Sequence, residues 1–124
     1  MTGYTDVFGT DELASGAMTD IEVSGETLLL ARVGETFFAA QGRCPHLHGH
    51  LAKGTLEGTI VTCPRHGSQF DLTDGHVVRW TDWTGAAEAV AEVLRHPRPL
   101  RMYDIRVEGG RVLVGSQKPP VATE

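Results

Sequence analysis

Two short segments hold both cysteines and four of the six histidines of the chain: Cys44-Pro45-His46-Leu47-His48-Gly49-His50 and Cys63-Pro64-Arg65-His66-Gly67-Ser68. Each cysteine is followed at once by proline, and each has a histidine two or three positions on. Thiolate and imidazole are good ligands for zinc and for iron–sulfur centres. The sixteen residues between His46 and Cys63 contain one hairpin, Thr55–Glu57 and Thr59–Thr62 around Gly58, which folds the two segments side by side. Two thiolates and two imidazoles then converge on one point.

Zinc accepts two Cys and two His, but its usual spacing pairs like with like. Here each segment mixes one of each. Mixed pairs suit a two-iron cluster in which one iron takes both cysteines and the other both histidines, each segment spanning the two metals. On residue types alone, a structural zinc site and a disulfide stand as alternatives. His48 and His50 extend an H-x-H-x-H run. His46 is preferred as the ligand for its spacing from Cys44, and the other two are read as exposed loop residues.

The pattern C-x-H, sixteen residues, C-x-x-H resembles that of the Rieske family. The similarity continues through Gly67-Ser68-Gln69-Phe70-Asp71 and the Asp74-Gly75 turn, and more weakly over roughly Val7 to Gly115. The resemblance implies a Rieske-type [2Fe–2S] cluster, with Cys44 and Cys63 on the inner iron and His46 and His66 on the outer iron near solvent. It also implies an all-β, Rieske-like fold in which an antiparallel β base carries a small cluster-binding β-subdomain, about residues 42–76. Replacing two thiolates by neutral imidazoles removes two negative charges, so such clusters accept an electron at roughly −150 to +300 mV. High-potential members hold the cluster sulfurs with a Ser and a Tyr hydroxyl. Ser68 is kept here and Phe70 stands at the second position, which implies a low-to-intermediate potential. The disulfide joining the two loops in respiratory and photosynthetic members would need cysteines at Gly49 and Arg65, so it is absent.

By the same resemblance, the chain is a soluble Rieske ferredoxin. It carries single electrons from a flavin-dependent NAD(P)H reductase to a terminal oxygenase, and is an electron-transfer component rather than an enzyme. A Rieske oxygenase needs a second domain for mononuclear iron, for which 124 residues leave no room. Two other readings are a Rieske-type small subunit of a nitrite reductase-like complex and a zinc-stabilised interaction module without redox function.

The elements that must position these segments are short strands broken by glycine, of which there are 15. Strands are expected at Met18–Val23, Thr27–Arg32 and Thr36–Ala40, then at Ser68–Asp71 and His76–Val78 around Thr73-Asp74-Gly75, and finally at Met102–Glu108 and Arg111–Val114 around Gly109-Gly110. Residues 85–96 read as one short helix with Ala86, Ala89, Val90, Val93 and Leu94 on one face, capped by Thr84 and stopped by Pro97. It either packs on the sheet or docks a partner together with Trp80 and Trp83. Pro45, Pro64, Gly49 and Gly67 shape the loops, while His76 and His96 are surface residues. Residues 1–116 form a single domain, and 117–124 a loose tail.

Hydrophobic residues make up 40% and charged residues 22%, as in an ordinary globular domain. A net charge of −5 without clustered Lys or Arg argues against nucleic acid and suits a basic protein partner. With no apolar run near the ~20 residues of a membrane span and no secretory signal, the expected location is the cytoplasm, away from membranes. Nothing demands more than a monomer.

Overall fold

The computed structural model describes residues 4–44, 49–64, 67–79 and 99–118. Ten strands lie in these residues: β1 (Thr5–Gly9), β2 (Met18–Val23), β3 (Glu26–Val33), β4 (Thr36–Gln41), β5 (Thr55–Glu57), β6 (Ile60–Thr62), β7 (Gln69–Asp71), β8 (Val77–Arg79), β9 (Met102–Glu108) and β10 (Arg111–Gln117). They form a six-stranded base in the order β1-β10-β9-β4-β3-β2 and a four-stranded sheet in the order β5-β6-β7-β8. All the pairings are antiparallel. The fold is therefore all-β, a large base and a small sheet, as expected. Among the described residues no helix is long and apolar enough to cross a membrane.

Side-chain alternation explains how the base serves two cores. In β3, Leu28 and Leu30 pack with Ile21, Phe37, Ala39, Val112 and Val114 on one face. Leu29 and Ala31 point to the other face, into a cluster with Ala40, Leu51, Val61, Phe70, Leu72 and both cysteines. A strand buried on both sides reads as an unbroken apolar run, as Leu28-Leu29-Leu30-Ala31 does. The edge strands β1 and β2 come into contact, so the base curls around its own core. The second core lies where the small sheet meets the base.

The β9–β10 connection shows why the hairpins were legible. Gly109 and Gly110 take φ of 56° and 78°, the doubly left-handed turn that matches strand twist and that side chains resist. Expected strand boundaries hold within a residue or two at most positions. The exceptions are β1, which was not anticipated, and the C-terminus. There the chain stays in the sheet beyond Val114, where a loose tail from 117 was expected. A register shift after Val114 lets Gln117 pair with Tyr103, and Lys118 N–H donates to Met102 O at 2.7 Å. The expected helix at 85–96, Trp80, Trp83 and His96 fall outside the described residues.

Candidate metal centre

Both cysteine loops are tips of hairpins, and both close in the same way. In the first, Leu51 N–H donates to Gly42 O at 3.1 Å, Arg43 bridges His50, and Cys44 N–H donates to Gly49 O at 2.8 Å. In the second, β6 pairs with β7 through Thr62 and Gln69, and Cys63 N–H donates to Ser68 O at 2.8 Å. Each cysteine thus holds the last paired position before a four-residue tip. His46 is the second residue of one tip and His66 the third of the other. The unequal C-x-H and C-x-x-H spacings therefore belong to tips of equal length.

Cys44 is fully buried, Cys63 is 3% exposed, and Ser68 is fully buried. The two cysteines share one apolar cluster with Leu51, Val61, Phe70 and Leu72, and no disulfide joins them. Gly67 takes φ of 72°, and its N–H donates to Cys63 O at 3.3 Å. The left-handed backbone explains why glycine follows His66. Pro45, His46, Leu47, His48, Arg65 and His66 lie outside the described residues.

The remaining histidines find other work. His50, expected to be an exposed loop residue, is half-buried. Its Nε2–H donates to Asp20 Oδ2 at 2.6 Å, tying the first loop to β2. His76 is exposed, and its backbone N–H and Nδ1–H both donate to Asp74 Oδ1, at 2.9 and 2.6 Å. These bonds, the backbone one foremost, hold the Asp74 carboxyl below its ordinary pKa against the smaller opposing effect of burial.

Three residues that hold the loops went unremarked in the sequence. Gln41 is 8% exposed. Its Nε2–H donates to Arg43 O at 2.6 Å, and its Oε1 accepts from Arg101 N–H at 2.8 Å. Arg79 donates to Gly67 O through Nε and Nη2 at 3.1 and 2.9 Å. Asp20 is the partner of His50. Of the three, only Gln41 carried a local signal, a polar residue ending the apolar run before Cys44.

Two buried thiols of unlike loops in one apolar cluster suit a cluster with sulfur ligands, whose thiolates favour iron–sulfur chemistry. A family model for the Rieske [2Fe-2S] domain matches residues 3–93. The chain belongs to the Rieske [2Fe–2S] domain family. It is 34% identical over 110 residues to the ferredoxin component of biphenyl 2,3-dioxygenase from Rhodococcus jostii strain RHA1, covering 89% of this chain and 90% of that protein. It is 33% identical over 123 residues to the ferredoxin component of the p-cumate 2,3-dioxygenase system from Pseudomonas putida, covering 98% and 92%. The Rieske fold is also similar to a chain in the complex of reduced oxygenase and oxidized ferredoxin in carbazole 1,9a-dioxygenase. That match has a TM-score of 0.75 and 25% identity over 96% of this chain and 99% of that one. The cofactor of this Rieske protein is a [2Fe–2S] cluster, and the zinc-stabilised module falls away with it.

Proposed function

We propose that the chain is the ferredoxin of an oxygenase system, taking single electrons from a flavoprotein NAD(P)H reductase and passing them to a terminal oxygenase in the cytoplasm. The observation that carries this reading is the pair of buried cysteines, each ending a hairpin stem at the same step before its tip. Cys44 and Cys63 would hold one iron of the cluster, and His46 and His66 the other. Ser68, buried in the second loop, would line the cluster. When bound, the cluster supplies a reversible one-electron couple. The apolar shell of Leu51, Val61, Phe70 and Leu72 keeps water from the cysteine side. The family resemblance puts the histidines near solvent, so electrons would be exchanged on that side. Two relatives are named as ferredoxin components of dioxygenase systems, and a structural neighbour is titled as an oxygenase–ferredoxin complex. This supports an oxygenase as electron acceptor. The chain is read as one domain whose last strand reaches Gln117, with its cluster-binding part at about 42–76.

The test is elemental analysis of the purified protein with its His46→Ala and His48→Ala variants. The wild type is expected to carry two irons and two acid-labile sulfides per chain and to be reduced by a flavoprotein reductase with NAD(P)H. His46→Ala is expected to lose the cluster, and His48→Ala to keep it with a small change in potential. One zinc and no sulfide in the wild type would end this reading.

A further inference from the structure

We propose that Arg79 is a positioning residue for the second ligand loop. It pins the Gly67 carbonyl and thereby fixes the two chain neighbours of Gly67, His66 and Ser68, relative to the cluster. This rests on the ligand assignment above.

The Gly67 peptide groups are held from two directions. Gly67 N–H donates to Cys63 O within the loop at 3.3 Å, and Gly67 O accepts two N–H groups from Arg79 at 3.1 and 2.9 Å. A guanidinium is planar and presents its donors as a rigid fork, so two of them can converge on one oxygen. An ammonium cannot match this with a single group. The backbone is arranged to deliver that fork. The β7–β8 register pairs Phe70 with Val77 but Gln69 with Arg79, one residue further than a regular ladder allows. The extra residue, Val78, is left 46% exposed. Without the bulge, Val78 would oppose Gln69 and Arg79 would lie beyond the end of the pairing. Bulges commonly re-aim a side chain beside a functional site.

Two consequences differ and can be separated. The fork restrains the loop that carries His66. The permanent positive charge, one peptide group from that histidine, favours the reduced and more negative state of the cluster. Arg79→Ala removes both, whereas Arg79→Lys keeps the charge and loses the fork. Arg106, which lies over the Tyr4 ring, serves as a control cation through Arg106→Ala.

The holo-proteins are compared by iron and sulfide content, midpoint potential, the EPR g-values of the reduced cluster, and the half-life of the visible absorption under a chelator. Arg79→Ala is expected to lower the potential, shift the g-values and shorten the half-life several-fold. Arg79→Lys is expected to hold a potential near wild type while still shifting the g-values and shortening the half-life. Arg106→Ala should match wild type throughout. Wild-type g-values and half-life in Arg79→Ala would overturn the proposal. Should that variant fail to assemble, the same result in Arg79→Lys would do so. A wild type without iron and sulfide overturns the ligand assignment itself, a separate outcome read in the first measurement.

Discussion

The two cysteine loops are alike in closure and unlike in anchorage. Both place a buried cysteine one pairing step before a four-residue tip. The first loop grows from β4 and is tied to the base at several points: by Gln41 to Arg101 before β9, and by His50 to Asp20 on β2. The second grows from β6 and β7, and the side-chain hydrogen bonds given for it among the described residues come from the same small sheet, from Arg79 of β8 and Gln69 of β7. One ligand loop therefore inherits the rigidity of the six-stranded base. The other depends on a sheet whose strands are three residues long. A shared centre joins a well-anchored half to a locally anchored one, and the difference says where the site is easiest to loosen.

The largest effect should erase the difference between the loops. On the proposed ligand assignment Cys44→Ser and Cys63→Ser each remove a thiolate from the same iron, so each is expected to abolish the visible absorption and the reduced-state EPR signal. Anchorage cannot compensate for a missing ligand. A variant of either cysteine that kept the full signal would show that the loops are not partners in one centre.

That equivalence was legible in the sequence because it is local. Cys-Pro with a nearby His, repeated after sixteen residues, is visible without any knowledge of packing, and so are the Gly-Gly turn and the apolar run of β3. Unequal anchorage is not local. Gln41 and Arg101 are 60 residues apart, and Asp20 and His50 are 30 apart. The non-local pairing of β4 with β9 brings the first two together, and the return of the first loop past β2 the second. Arg79 depends on a register slip of one residue, and strand periodicity carries no sign of an inserted position. The continuation of β10 to Gln117 was hidden for the same reason, since its register shifts after Val114.

Next in size are two substitutions that attack the anchors separately. A Cβ at Gly54 would clash with Thr62 O and lie 3.2 Å from Pro64 Cδ, against the backbone that leads into Cys63. Gly54→Ala must push β6 and the second loop aside. We expect a loss of about 3 kcal/mol by urea unfolding and faster cluster release under a chelator. Gln41→Leu leaves Arg43 O and Arg101 N–H without the partners that Gln41 provides. Its expected cost is about 2 kcal/mol, with a smaller increase in cluster release, because His50–Asp20 still holds the first loop. Equal or reversed release rates would contradict the ranking of the two anchors.

The smallest effect concerns the far end of the small sheet, where the Thr73-Asp74-Gly75 turn meets the base through Leu100 N–H donating to Gly75 O at 2.9 Å. Burial pushes the Asp71 carboxyl up, but hydrogen bonds from Thr73 N–H and Oγ1–H outweigh it and leave it below its ordinary 3.8. Asp74 is lowered from the same value, chiefly by the His76 N–H. A carboxyl whose folded value is depressed stabilises the fold fully above its unfolded value. That stabilisation is lost as pH falls through the folded one. Tethering by this turn should therefore hold at neutral pH and weaken below about pH 4. Asp74→Asn keeps an oxygen acceptor for His76 N–H but removes the charge, so it isolates the titrating part. Because Asp74 and His76 are about half exposed, solvent screens the pair. The loss at neutral pH should be about 0.5 kcal/mol or less, and the acid limb of the stability curve should become shallower than that of the wild type. An unchanged acid limb in urea titrations between neutral and acidic pH would assign the acid sensitivity of the small sheet to other groups.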